Sequence, residues 1–97
     1  MPAWFYLLRL RSGALYPGAT ADLSRRYQEH RERRAGRTTR LDTVTALVYS
    51  EELPTFSAAR RRESQVKRWS RAKKEALAAG DTGKLKALAH ARKGRKA

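Results

Sequence analysis

Tyr6, Tyr16, Arg26, His30 and Glu63 are of the types needed to activate water, hold a phosphate and bind a hard cation. They lie in the stretches WFYLL, LYPG, DLSRRYQEH and RRRESQVKR. An arginine offers a fork of N–H donors to a phosphate. A tyrosine or histidine can orient a water or exchange a proton with it. A glutamate can ligate Mg²⁺ or Mn²⁺. Each type also has an ordinary structural use, so position within the elements must separate the two.

In the helical run DLSRRYQEHRERR, Arg26 and His30 are four apart and share a face. Leu23 and Tyr27 form the neighbouring stripe, which would pack on a sheet. Arg26 can hold a phosphate, or pair with Asp22 or Glu29 on the helix surface. A single His on a helix is more often structural. Glu63 is more unusual. On the helix 56–67, Phe56, Ala59, Val66 and Trp69 define the apolar stripe, and Glu63 lies seven after Phe56, four after Ala59 and three before Val66. That places it on the inward face, where a carboxylate must be paired, protonated or metal-bound. Tyr6 and Tyr16 fall on adjacent strands. Their hydroxyls project from one sheet face if the hairpin register permits; otherwise each is a core residue with its hydroxyl at the rim.

The elements that position these residues read as follows. Residues 3–11 are apolar on both faces, Trp4, Tyr6, Leu8 and Leu10 on one and Phe5 and Leu7 on the other, which argues for a central strand. Ser12-Gly13 offers a turn, and residues 14–19 return as a second strand. Pro17 cannot donate to a ladder, so this strand belongs at an edge or a bulge. Gly18 marks a bend or a close backbone approach. Thr20 or Asp22 caps a helix to about Arg34, ended by Gly36, and residues 35–42 form a polar loop. Residues 43–50 read as a third strand, with Glu51 and Glu52 exposed at its end. Pro54 breaks the chain, Thr55 caps a helix through Lys67, and Ser70 caps another stopped by Gly80. Residues 84–97 could form a short basic helix. The fold class is α+β, in the order β-β-α-β-α-α, with a three-stranded sheet whose first strand is central and helices packed on it. Residues 1–80 make the domain and 81–97 a basic helix or tail.

Composition agrees with a polyanionic partner. The 97 residues carry 23 Lys and Arg against 9 Asp and Glu, for a formal charge of +14. Residues 1–50 hold nine basic and four acidic residues, and residues 51–97 hold fourteen and five. Such an excess favours nucleic acid. Arg outnumbers Lys 16 to 7, which suits forked phosphate contacts. There is no long apolar span and no signal peptide, so the chain reads as soluble and intracellular, in the cytoplasm. Without cysteine there are neither disulfides nor thiolate metal sites. The nine acids form no carboxylate cluster of the kind a two-metal nuclease needs. No phosphate-cradling glycine loop, zinc-ligand spacing or nucleophile elbow is present.

The ordered set resembles the GIY-YIG nuclease domain over about residues 3–79. Trp4-Phe5-Tyr6 would be the first signature tripeptide and Tyr16-Pro17-Gly18 the second, with a ten-residue step between the tyrosines. The run GATADLSRRYQEH suits the family, and LVYSEELPTFSAARRRESQVKRWSRAKKEAL resembles the small stand-alone bacterial members, which are related to the N-terminal domain of the excision-repair nuclease subunit. The resemblance implies Glu63 as the sole protein ligand of one Mg²⁺ or Mn²⁺ ion and Arg26 as the steadying charge on the scissile phosphate. It implies Tyr6 and Tyr16 as the residues that position or deprotonate the attacking water, and His30 as support for a tyrosine or the phosphate. Trp4, Phe5 and Pro17 depart from the family tripeptides at positions that are mainly structural. The further Asn or Lys that family members often carry has Lys73 as its candidate here. The implied activity is metal-dependent endonucleolytic cleavage of DNA, in repair or recombination, with Arg60, Arg61, Lys67, Arg71, Lys73 and Lys74 holding the nucleic acid. A non-catalytic DNA- or RNA-binding module of the same fold is the competing reading. A third is a partner protein docking through helix 70–79, which requires an exposed apolar patch around Trp69 and Leu77.

Overall fold

A computed structural model describes residues 1–32, 41–81 and 83. Its elements run β1 (Ala3–Leu10), β2 (Leu15–Thr20), α1 (Leu23–Arg31), β3 (Val44–Leu53), α2 (Phe56–Lys67) and α3 (Arg71–Ala78). The three strands form one antiparallel sheet in the order β2-β1-β3. The expected loop 35–42 and basic helix 84–97 fall largely outside the described residues.

β1 is central because both of its faces are apolar, and each face has its own cover. Phe5 and Leu7 pack with Val66 of α2 and Leu77 of α3, joined by Val48, Tyr49 and Trp69. Tyr6, Leu8 and Leu10 pack with Val44 on the opposite face, where Leu23 and Tyr27 of α1 close over them. Phe5, Leu7, Leu8 and Val66 are fully buried, and each such side chain contributes roughly 1.5–3 kcal/mol of hydrophobic stabilisation. The helices thus pack on the sheet as expected, in three layers: α1 on one side, α2 and α3 on the other.

β1 and β2 are joined by a short loop in which Gly13 takes a φ of +94°, with the Leu10 amide donating to the Ala14 carbonyl at 2.9 Å. Such a loop needs a left-handed residue, which glycine supplies. β2 is an edge strand, the position that tolerates Pro17. β3 runs three residues beyond its expected end, and the register slips between Leu7 and Leu8. Leu7 faces Tyr49 and Leu8 faces Leu47, so Val48 is an extra residue. This bulge sends Leu47 and Tyr49 to opposite faces, where strict alternation would have kept them together. Glu51 lies inside the strand and is partly buried; it accepts from the Tyr49 hydroxyl at 2.9 Å and from Arg62 Nε at 3.2 Å. Both glutamates lie within β3, and the expected exposure holds for Glu52 alone.

Each described helix begins with a side-chain cap. Asp22 accepts from the Arg25 amide, Thr55 from the Ala58 amide and Ser70 from the Lys73 amide. Of the two candidate caps for α1, Asp22 therefore serves, and Thr20 supports it by hydrogen-bonding its backbone. α1 ends at Arg31 with Glu32 as its C-cap, three residues before the expected end. Gly80 terminates α3 with a φ of +71°. α3 is tied to β1 by Arg9, which donates to both carboxylate oxygens of Glu75 at 2.5 and 2.7 Å.

Two expectations are corrected by the packing. Phe56 does not join the apolar stripe of α2; it is 46% exposed, while Ala59 and Val66 are fully buried. At the first position of the helix it lines a groove with Ala19 and Thr20 at the end of β2. Leu77 is only 5% exposed, and Trp69 packs against the same cluster. Trp69 is further covered by Arg62 at 5.2 Å and Lys73 at 4.3 Å from its ring centre. Among the described residues no exposed apolar patch lies around Trp69 and Leu77, so the partner-docking reading loses its basis.

Candidate active site

The hairpin register sets the two tyrosines. Tyr6 pairs with Gly18 and Leu8 with Tyr16, so Tyr6 and Tyr16 are diagonal neighbours on the face covered by α1. Gly18 is needed at this crossing. A Cβ built there would lie 2.3 Å from Cζ and from the hydroxyl oxygen of Tyr6. The Tyr6 ring therefore lies across the bare backbone of the edge strand, which is the close approach expected at Gly18.

α1 delivers His30 and Arg26 to the same place. His30 is fully buried, and its Nε2 is hydrogen-bonded to the Tyr6 hydroxyl at 2.9 Å. Its ring meets Tyr16 edge-on at a centroid distance of 5.5 Å and Tyr6 at 5.8 Å. The histidine is thus the wedge between the tyrosines. Burial, reinforced by the Arg26 charge, pushes His30 down to about 4. Burial pushes Tyr6 up to about 12, against the pull of Arg26. Both groups are neutral near pH 7, and Tyr6 keeps its proton.

The shift at His30 carries a stability consequence. Its folded value lies below the ordinary 6.5, so its contribution is present above pH 6.5 and is lost as pH falls towards 4. There the unfolded chain takes up a proton that the folded chain refuses. The loss reaches at most about 3 kcal/mol. Urea unfolding at pH 7.5 and 4.5 should show wild type losing more stability than His30→Gln. Equal losses in the two proteins would contradict the assignment.

Arg26 is partly exposed and lies beside Tyr6, whose hydroxyl feels its charge. Its Nη1 pairs with Glu29 at 3.2 Å, and Arg25 reaches the same carboxylate at 3.5 Å. Glu29 thus steadies both guanidiniums. The pairing with Glu29 weighed from the sequence is present, and the Arg26 side chain remains 38% exposed.

Glu63 comes from α2, and its negative charge is the weakest of the influences that bear on Tyr6. Its side chain is 16% exposed, against 65% for Arg60 and 56% for Lys67 on the same helix. Lys67 Nζ sits 3.1 Å from one carboxylate oxygen, and Arg60 Nε 4.0 Å from the other. A helical Glu–Lys pair of this spacing is worth only about 0.3–0.5 kcal/mol. Two long, exposed cations do not commit the carboxylate against a divalent ion. Among the described residues no three His, Cys, Asp or Glu side chains gather to cage a metal. A cation here would have one protein carboxylate, an arrangement that Mg²⁺ accepts because it retains much of its water shell.

A groove of about 430 Å³ opens beside Arg26, lined by Thr20, Asp22, Arg25, Glu29, Phe56 and Arg60 among others. A second groove of about 570 Å³ runs along Ser24, Tyr27, Gln28, Arg31 and Glu32 and includes none of the five candidate residues. The basic residues expected at a nucleic-acid surface separate into groups. Arg60 and Lys67 flank Glu63, and Arg61 is exposed on α2. Lys73 lies over Trp69, and Arg71 bonds the Gly13 carbonyl at 3.3 Å and approaches Glu75. Lys74 is partly buried on α3. Glu29 and the exposed Phe56 emerge from the structure as further residues of this region. Glu29 was legible as a helical partner of Arg26, whereas helical periodicity alone placed Phe56 inside.

The GIY-YIG catalytic domain family matches residues 2–76 of the sequence. The chain belongs to the GIY-YIG family. It is 40% identical over 80 residues to a UPF0213 protein of Natronomonas pharaonis, covering 82% of this chain and 94% of the relative. It is 37% identical over 84 residues to the UPF0213 protein YhbQ of Escherichia coli K12, covering 86% and 84%. The solution NMR structure of a UPF0213 protein from Bacillus halodurans superposes with a TM-score of 0.54 at 34% identity, covering 86% of this chain and 88% of that one. The GIY-YIG match makes the fold nuclease-type, and it spans all five candidate residues. No described helix of this GIY-YIG domain is long and apolar enough to cross a membrane.

Proposed function

We propose that this GIY-YIG protein is a divalent-metal-dependent endonuclease that hydrolyses phosphodiester bonds in nucleic acid, with DNA preferred over RNA. The reading rests above all on the convergence of Tyr6, Tyr16, Arg26 and His30 on the sheet face covered by α1, with Glu63 next to Arg60, which lines a groove together with Arg26. Glu63 would hold one Mg²⁺ or Mn²⁺ ion, which supplies Lewis-acid polarisation of the scissile phosphate. Arg26 binds the phosphate and stabilises the charge that builds on its oxygens. Tyr16, partly exposed beside His30, orients the attacking water. Tyr6 is buried and tied to His30, so it acts mainly by holding that constellation in place. The water oxygen bonds to phosphorus as the ester P–O bond breaks in line. Arg60, Arg61 and Lys67 are the nearest candidates for gripping the strand around Glu63, with Arg71, Lys73 and Lys74 extending the basic surface.

The competing reading, a DNA- or RNA-binding module without cleavage, draws on the ion pairs from Lys67 and Arg60 to Glu63. Cleavage assays with Mn²⁺ and Mg²⁺ on plasmid, branched, single-stranded and RNA substrates separate the two. The expected result is metal-dependent cutting by wild type and a loss of about 10²–10³-fold in Arg26→Ala. Arg26→Lys should recover only part, because an ammonium lacks the fork. If wild type cuts none of these substrates and binds no divalent ion, the endonuclease reading fails and the binding module replaces it.

A further inference from the structure

Phe56 stands out among the described residues as a large apolar side chain left in solvent next to the candidate active site. It is 46% exposed, although it opens a helix that buries Ala59 and Val66. It lines the groove of about 430 Å³ that also contains Arg25, Arg26 and Arg60. The Arg60 guanidinium lies 6.0 Å from its ring centre, at the outer range of a cation–π contact. One wall of the groove is therefore an aromatic face, and the rest carries positive charge that runs directly into Arg26. Of the two acids in the groove, Asp22 is occupied in capping α1 and Glu29 in holding Arg25 and Arg26.

An exposed aromatic among arginines is the pattern that holds unpaired nucleotides. Arginines track the phosphates, and the ring offers a stacking face to any base. A duplex conceals its base faces within its own stack and cannot use the ring. We propose that this groove binds a segment of unpaired nucleotides with one base stacked on Phe56 and its phosphates on Arg25, Arg26 and Arg60. The substrate class of the endonuclease is then nucleic acid with unpaired nucleotides next to the scissile bond, such as a single strand, flap or branch. The substrate assignment rests on the endonuclease reading; the binding mode does not.

The test measures binding and cutting separately. Fluorescence anisotropy in chelator, at moderate salt, compares a labelled single-stranded oligonucleotide with the duplex of the same sequence. Phe56→Ala should weaken single-strand binding by about ten-fold, the scale of one stacking contact, and leave duplex binding within about two-fold. Phe56→Tyr should restore it. A loss shared equally by single strand and duplex, or no loss at all, would overturn the stacking role. Because these titrations need neither metal nor turnover, an absence of cleavage by wild type would sink the endonuclease reading alone. Cleavage that persists with unchanged strand preference in Phe56→Ala would sink the substrate assignment alone.

Discussion

Glu63→Gln should abolish metal-dependent cleavage, by about 10²–10³-fold or more, while the protein remains folded and still binds nucleic acid. The substitution keeps the size and hydrogen-bonding capacity of the side chain and removes only the charge that would hold a cation. The structural cost is small. The pair with Lys67 at 3.1 Å, a helical contact whose lysine end is exposed, is worth about 0.3–0.5 kcal/mol. Removing it from the other side, by Lys67→Ala, should therefore change thermal stability by a similarly small amount. The catalytic cost is large because the metal's contribution to transition-state charge is several kcal/mol and this carboxylate is its only protein anchor in the proposed site. Binding in chelator should be unchanged or slightly tighter, since a negative charge is removed from a basic surface. Cleavage assays beside anisotropy titrations check both halves. A Glu63→Gln protein that cuts within a few-fold of wild type would show that the glutamate is a structural ion-pair partner.

Gly18→Ala should damage both stability and activity although Gly18 carries no functional group. The added Cβ would meet Cζ and the hydroxyl oxygen of Tyr6 at 2.3 Å, and Cε1 at 2.7 Å. Those distances are far inside van der Waals contact, so the ring must move. Tyr6 is not a free side chain that can swing aside. It is 3% exposed and hydrogen-bonded to His30, which in turn packs edge-on against Tyr16. Overpacking of this kind costs about 1–3 kcal/mol. A shift of about 1 Å among positioning residues can cost about 10²-fold in rate. Thermal melts and cleavage rates measure the two effects, and a double-mutant cycle assigns their cause. In a Tyr6→Ala background the Gly18→Ala substitution should cost almost nothing more, because its partner in the clash is gone. Full, additive cost in that background would place the problem elsewhere, in the backbone of β2.

The arrangement of elements was largely readable from local signals. A strand apolar on both faces had to be central, Pro17 had to sit at an edge, and Thr55 and Ser70 announced helices that begin where expected. The candidate site was readable in part. The four-residue spacing of Arg26 and His30 predicted a shared face, and both do approach Tyr6. What periodicity could not supply was anything set by tertiary register. The extra residue Val48 in β3 reverses the facing of Leu47 relative to Tyr49, and nothing in TVTALVYS marks it. Phe56 fits the helical stripe in sequence, yet it is left exposed in a groove while Ala59 and Val66 are buried. His30 became the wedge between two tyrosines only once the Leu8–Tyr16 register had put them on one face.

The central proposal is that Glu63 holds one divalent ion for the site built by Tyr6, Tyr16, Arg26 and His30. An anomalous difference map from a crystal of the protein soaked in Mn²⁺ addresses it most directly. The account predicts a single strong peak at the Glu63 carboxylate, with Lys67 displaced from its 3.1 Å pairing and the peak absent in Glu63→Gln. A map with no peak there and Glu63 still paired to Lys67, or a peak at a different group of residues, would contradict it.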